Sequence, residues 1–214
     1  MNEVLVGILV NGAIDDIEFY KKELDGCDYV ISADGASNVL YKMKKVPDVI
    51  IGDMDSIEED AKSFFLEKGV EFKRFPSKKD FTDTELSIDY AKDIGADEVV
   101  LYAAVGSRID HSLGNINLLY YMLKRGMQGR LVNEKNEVRI TDGKLVIEGR
   151  KGDLVSVIPV NGDAIGVTLT GLEYPLTDYT IEFGKTIGLS NVMVGESCRI
   201  EVKDGCIFVI KARD

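Results

Sequence analysis

The hydrophobic period changes along the chain. In the first part, short apolar runs alternate with segments of helical spacing. Val4–Val10 is an almost unbroken apolar stretch, the pattern of a strand buried on both faces of a sheet. Cys27–Ala33, Asp48–Ile51 and Glu98–Ala104 are further strand candidates. Between them, Ser56-Ile-Glu-Glu59 reads as a capping box, a hydroxyl and a carboxylate satisfying amides at a helix start. Thr82-Asp-Thr-Glu85 repeats that signal ahead of Leu86, Tyr90 and Ile94, four residues apart and so on one helical face. Leu113, Ile116, Tyr120 and Leu123 form another stripe, beginning just after Asp110. Alternation of this kind predicts a mostly parallel sheet flanked by helices.

Near Arg125–Gln128 the helical stripes stop. From there short alternating runs, such as Leu154–Val160, Val167–Leu169, Arg199–Val202 and Ile207–Ile210, are punctuated by glycines. Asp142-Gly143 and Asp204-Gly205 each sit between two such runs, a strong short-range hairpin cue. The expected fold class is α/β: residues 1–125 as an N-terminal, mostly parallel sheet flanked by helices, then residues 126–214 as a C-terminal antiparallel β-sandwich domain.

Composition narrows the function classes. The chain has 214 residues, with 26 Lys plus Arg against 37 Asp plus Glu and a net charge of −11. Duplex nucleic acid requires basic neutralisation of phosphates, and an anionic membrane surface attracts basic segments; neither suits this balance. Small anionic ligands remain possible, because a local cation overrules the global sign. Cys27, Cys198 and Cys206 are scattered and His111 is the single histidine, so zinc spacing is absent and reduced structural thiols are expected. The opening MNEVLVGILVNG lacks a basic n-region and no apolar run approaches a membrane span, so a cytoplasmic setting is expected.

In open α/β sheets, ligands bind beyond the carboxyl ends of the strands. After Cys27–Ala33 comes Asp34-Gly35. After Asp48–Ile51 comes Gly52-Asp53-Met54-Asp55-Ser56, and after Glu98–Ala104 comes Gly106-Ser107-Arg108-Ile109-Asp110. Lys78-Lys79-Asp80-Phe81-Thr82-Asp83 opens a helix. If the strand continues through Asp53 and Asp55, both carboxylates point to one face, where they suit a hard cation such as Mg²⁺; otherwise Asp55 and Ser56 cap the next helix. Asp80 and Asp83 either complement a helix dipole or join that cluster. Lys78 and Lys79 are either a solvated pair or part of a phosphate site at a helix N-terminus. Arg108 either pairs with Asp110 or forks onto a phosphate. Gly184-Lys185-Thr186 mimics the end of a Walker A loop, but Tyr179 stands where glycine is needed.

Ala33-Asp34-Gly35, Pro47–Ser56, Lys79–Glu85, Gly106–His111 and Gly188–Asn191 occur in this order, and together they resemble the motifs of the bacterial thiamine pyrophosphokinase family. The resemblance implies transfer of the terminal diphosphate of ATP to the hydroxyl of thiamine, giving thiamine diphosphate and AMP. It implies Mg²⁺ on Asp53, Asp55 and Asp83, and ATP near Asp34, Gly35, Asn38, Lys79, Thr82 and Arg108. Thiamine would be held by Asp110, Ser190 and Asn191; Asp110 and Arg108 would also serve catalysis. It further implies a homodimer whose active site lies between the α/β domain of one subunit and the β domain of the other. Ala36 and Ser107 replace frequent glycines of those motifs, and Val192-Met193 stands where Glu-Phe is frequent. Two other readings are a Mg²⁺-dependent pyrophosphokinase for another heterocyclic alcohol, such as a pterin, and a non-catalytic nucleotide or thiamine sensor.

Overall fold

The computed structural model describes residues 3–76 and 80–213, and the chain forms two units, 1–134 and 135–214. In the first, β1 (Leu5–Leu9), β2 (Tyr29–Ala33), β3 (Val49–Gly52), β4 (Glu71–Arg74), β5 (Glu98–Tyr102) and β6 (Gln128–Val132) pair in parallel in the order β4-β3-β2-β1-β5-β6. The chain steps outward from β1 to β4, then returns to the other side of β1 with β5. The strand order therefore reverses between β1 and β5, the place where such sheets open a crevice. The first unit reaches Glu134 and not only residue 125, because β6 still adds to β5 in parallel register. Its short, weakly apolar run (QGRLV) hid that membership.

Helices α1 (Ile17–Asp25), α2 (Ser37–Met43), α3 (Glu59–Glu67), α4 (Asp83–Asp93) and α5 (Ile109–Lys124) join the strands. Tyr20, Leu24, Leu40, Met43, Ala61 and Phe65 of α1–α3 pack with Leu9, Val30, Ile50 and Val100 of the sheet in one core. Alternation leaves Val6, Ile8, Ile31 and Val99, all buried, for the opposite face. Thr82 caps α4, its hydroxyl accepting from the Glu85 amide at 3.2 Å, as the sequence predicts. The other capping box does not form: α3 starts only at Glu59, and the Ser56 hydroxyl donates to Asp55 instead.

The apolar stripes also sit differently. In α4 the buried face is Thr84, Ser87, Ile88 and Ala91, with Ile94 exposed. In α5 it is Ser112, Asn115, Leu119 and Met122, while Leu113 is 55% and Ile109 72% exposed. Small polar residues take the core-facing positions because they bind loop backbone. Asn115 Nδ2 donates to the Ala104 carbonyl at 2.8 Å, and the Ser112 hydroxyl accepts from the Gly106 amide at 3.0 Å.

The second unit is antiparallel. Strands β7 (Asn136–Thr141), β8 (Lys144–Glu148), β9 (Leu154–Thr170), β10 (Leu176–Ile181), β11 (Asn191–Val192), β12 (Ser197–Glu201) and β13 (Asp204–Ala212) follow the order β7-β13-β9-β12-β8, with β10 and β11 also on β9. The first half of β9 pairs with β13, from Leu154 to Val160; its second half pairs with β12 and β10. Asn161 and Gly162, both at positive φ, lie between the halves. Neither Asp-Gly dipeptide closes a hairpin. Asp142-Gly143 separates β7, which pairs with β13, from β8, which pairs with β12. Asp204-Gly205 opens β13, whose partners are β7 and β9 and not β12. The same turn chemistry here makes corners between layers. Ile147, Val157, Val167, Leu169, Ile200 and Ile207 from these layers share one core. Among the described residues no helix is long and apolar enough to cross a membrane.

The burial of α4 separates the two faces in solution. Ile88→Ala is expected to cost about 2–5 kcal/mol of unfolding free energy, whereas Ile94→Ala should stay within about 0.5 kcal/mol. Urea denaturation measures both.

Candidate active site

A cavity of about 660 Å³ opens at the carboxyl ends of the first unit's strands. Its walls are the turn after β1 (Val10–Ala13), the turn after β2 (Ala33–Gly35), Asp53 after β3, the start of α4 (Phe81–Thr84) and the β5–α5 loop with the first turns of α5. It thus occupies the reversal point of the strand order. Three non-glycine residues at the strand ends, Asp34 (φ 43°), Met54 (φ 68°) and Ala103 (φ 50°), take left-handed backbone. Such conformations cost on the order of 1–3 kcal/mol each and persist where surrounding structure enforces them.

The enforcement is visible at two glycines. A Cβ on Gly52 would lie 2.7 Å from the Asp34 Cβ, so glycine there lets the turn after β2 approach β3 closely. A Cβ on Gly12 would fall 2.2 Å from the Ala103 carbonyl oxygen, where the Gly12 amide instead donates at 2.7 Å. Ala13 donates likewise to the Val105 carbonyl at 2.9 Å. The turns after β1 and β5 are thereby locked together across the crevice.

Asp34, Asp53 and Asp55 each present a carboxylate oxygen, and the three lie within 4.8 Å of one another. They converge by a route other than strand alternation. β3 ends at Gly52, and the loop turns through Met54, whose amide donates to Asp34 Oδ1 at 3.1 Å. The Asp55 amide donates to Asp53 Oδ1 at 3.1 Å. Asp34 is buried, Asp53 half-buried and Asp55 exposed. At an effective dielectric of about 20, two unit charges this close repel by about 3 kcal/mol. Burial pushes the Asp34 carboxyl above its ordinary pKa, and the charges of Asp83 and Asp53 push it further. Oxygen donors in such a set match a hard divalent cation.

Asp83, expected with the metal acids, lines the same cavity at the first turn of α4 but stands outside that three-carboxylate set. Asp34, expected beside the nucleotide, is inside it. Gly35 and Thr82 line the cavity. Asn38 does not; its amide staples the loop after β3, donating to the Ser56 carbonyl and accepting from the Glu58 amide, both at 2.9 Å. Lys79 lies outside the described residues. Arg108 lines the cavity and forks onto Asp110, with Nε to Oδ1 at 3.2 Å and Nη2 to Oδ2 at 2.6 Å. This contact holds the Asp110 carboxyl below the ordinary carboxylate range. Both side chains are largely exposed, and exposed pairs of this kind exchange partners at little cost.

Ser190 and Asn191 belong to the second unit. Ser190 is exposed at φ 55°, its amide donating to the Ser156 hydroxyl at 2.9 Å. Asn191 is buried, and its amide group is committed to backbone: Oδ1 accepts from Tyr174 and Val192 amides at 3.0 and 2.9 Å, and Nδ2 donates to the Tyr174 carbonyl at 2.7 Å. Asn191 thus fixes the backbone of Tyr174, whose residue is 65% exposed. Sequence reasoning passed over Tyr174, and over Asn11, Gly12 and Asn115 in the cavity wall. Asn11 and Gly12 carry a usable signal, since they directly follow the Val4–Val10 strand as Asp34 and Asp53 follow theirs.

Residues 20–131 match the family model described as thiamin pyrophosphokinase, catalytic domain. Residues 136–207 match that described as thiamin pyrophosphokinase, vitamin B1 binding domain. A thiamine pyrophosphokinase of Bacillus subtilis (strain 168) is 30% identical over 186 residues, covering 86% of this chain and 87% of that protein. Thiamine pyrophosphokinase 1 of Oryza sativa subsp. japonica is 30% identical over 203 residues, covering 89% of this chain and 75% of that protein. The crystal structure of the Bacillus subtilis thiamine pyrophosphokinase aligns with a TM-score of 0.87 at 27% identity, over 98% of this chain and 99% of that one. That of Geobacillus thermodenitrificans thiamin pyrophosphokinase aligns at 0.84 with 28% identity, over 99% and 98%.

The raised pKa of Asp34 has a definite sign. The folded metal-free protein holds its proton more tightly than the unfolded chain, so this contribution to stability is present below the ordinary value of 3.8 and is lost as pH rises through the folded value. Asp34→Asn keeps an oxygen acceptor for the Met54 amide and removes the charge. In excess chelator it should therefore be at least as stable as the parent above that window, with a flatter pH dependence. Urea midpoints measured across acid to neutral pH test this.

Proposed function

Because the chain belongs to the thiamin pyrophosphokinase family, we propose that it transfers the terminal diphosphate of ATP to the hydroxyl of thiamine in a Mg²⁺-dependent reaction. The observation that carries this reading is the carboxylate group Asp34–Asp53–Asp55 beside a cavity of nucleotide dimensions at the strand-order reversal. The hydroxyl oxygen of thiamine attacks the β-phosphorus and gives up its proton to solvent, the bond from that phosphorus to the bridging oxygen of the α-phosphate breaks, and AMP leaves with the electron pair. Such transfers leave little covalent work to the protein, and positioning with charge stabilisation supplies the rate.

The residues divide that task. Asp53 and Asp55, with Asp34 and with Asp83 at the start of α4, would hold the metal. Mg²⁺ bound there supplies positive charge against the phosphate oxygens. Arg108 exchanges the exposed Asp110 carboxylate for a phosphate, a forked contact of the same geometry. The α4 N-terminus, capped by Thr82, adds amide donors and the positive end of the helix dipole. In the second unit, Ser190 and the ring of Tyr174, whose backbone Asn191 fixes, offer a hydroxyl and a flat apolar surface to an aminopyrimidine. A homodimer is part of the reading. Ile109 and Leu113 are exposed at positions four apart on α5, apolar surface that a second copy would cover. A cytoplasmic setting fits the free thiols of Cys27, Cys198 and Cys206.

Incubation of purified protein with ATP, Mg²⁺ and thiamine should yield AMP and thiamine diphosphate in equal amounts. ADP with thiamine monophosphate would overturn attack at the β-phosphorus; nucleotide binding without turnover would favour a sensor; and turnover with a pterin alcohol alone would move the acceptor. Asp53→Asn and Asp55→Asn should each lower kcat by about 100-fold or more, while in excess chelator the urea midpoint should be no lower than the parent's, because each removes a charge from the repelling set. Leu113→Glu should shift sedimentation from dimer to monomer.

A further inference from the structure

Glu134, at the end of the first unit beyond β6, reaches back to the turn that follows β1. Its Oε1 accepts from the backbone amides of Asp15 and Asp16, both at 3.0 Å, and its Oε2 accepts from the Tyr20 hydroxyl at 2.9 Å. One carboxylate thus satisfies two successive amides at the entry to α1 and the phenol of a fully buried tyrosine. Asp16 in turn caps α1, accepting from the Glu18 and Phe19 amides at 3.0 and 3.1 Å. Upstream, Gly12 and Ala13 are tied to the β5–α5 loop through the Ala103 and Val105 carbonyls. The segment from Asn11 to Asp16 is therefore pinned at both ends, and its residues 11–13 form, with Val10, one wall of the cavity.

We propose that Glu134 is a positioning residue of the nucleotide cavity, holding the wall formed by Val10–Ala13 in register through the Asp15 and Asp16 amides. This rests on the reading that the cavity takes the nucleotide. The group is suited to the role. Burial raises a carboxyl pKa, yet the amide and phenol donors outweigh it here and the Glu134 value lies below the ordinary one, so the acceptor stays ionised at neutral pH. The Ala13 amide, which ties this wall to the β5–α5 loop, would meet a Cβ on Gly106 at 3.2 Å. Slack at residues 15–16 therefore passes into a close backbone contact beside Arg108.

Three variants of the full chain test this. Glu134→Ala removes all the accepted bonds. Glu134→Gln keeps an oxygen for the two amides. Tyr20→Phe removes only the phenol bond. Glu134→Ala should raise the KM for MgATP by about ten-fold, with a smaller change in kcat. It should also speed hydrogen exchange of the Asp15 and Asp16 amides; Gln should restore both readouts, and Tyr20→Phe should leave both near the parent values. An unchanged KM with unchanged exchange in Glu134→Ala would overturn the proposal. So would an equal KM rise in Tyr20→Phe, which would place the effect in the packing of α1. Calorimetry of the parent with MgADP separates the two layers: no binding there overturns the nucleotide reading itself, whereas parent binding with an unaltered Glu134→Ala constant overturns only the positioning role.

Discussion

Mutual repulsion among carboxylates governs the first unit's design. Asp34, Asp53, Asp55 and Asp83 arrive from the ends of two strands and the start of one helix, and nothing in their own chemistry keeps them together without a cation. The parallel sheet does. Its inner strands β1, β2, β3 and β5 are buried on both faces, so their ends are held in place and the turns that leave them inherit that rigidity. Left-handed backbone at Asp34, Met54 and Ala103, and glycines at 12 and 52 where no side chain fits, are the local consequences. The unfavourable charge and the strained backbone are both carried by the core of Leu9, Tyr20, Leu40, Ile50, Phe65 and their neighbours.

Some features that depend on nearby residues are readable in the sequence, although the equally spaced Ser56–Glu59 box does not form. Thr82 caps α4 as its spacing predicts, because the hydroxyl and the amide it binds are three residues apart. The acids after the second and third strands are also found at the rim, because placement at strand ends follows from the alternating pattern. Features set by distant pairing were not readable. Asp142-Gly143 carries ordinary turn chemistry, but whether its flanking strands pair is decided by β12 and β13, far along the chain. The buried face of α5 departs from its apolar stripe for a related reason. Ser112 and Asn115 face inward to bind loop carbonyls and amides that no helical period records. Glu134 is the extreme case, since its partners lie at the other end of the first unit.

The two units solve different problems. The first concentrates charge at a rim and holds it with a parallel sheet. The second presents exposed aromatic and aliphatic side chains, among them Tyr174 and Phe183, on loops whose backbone amides are held by side-chain oxygens, Asn191 Oδ1 for Tyr174 and Asp163 Oδ1 for Phe183. Asn191 is the example: by giving its whole amide to the backbone of its neighbours, it converts a short strand and an adjacent turn into one rigid piece. A side chain placed by such a support loses little conformational entropy when a flat ligand is laid against it.

Strand β9 has a further consequence. Its first half is hydrogen-bonded to β13 and its second half to β10 and β12, so the two layers of the second unit share a continuous backbone. Neither layer can detach without pulling on the seam that belongs to the other. Local opening, which in many β proteins begins at one sheet, would here propagate along β9 through Asn161 and Gly162. The second unit is thus built to melt as a single cooperative block, with its loops free to move only as far as that shared strand permits.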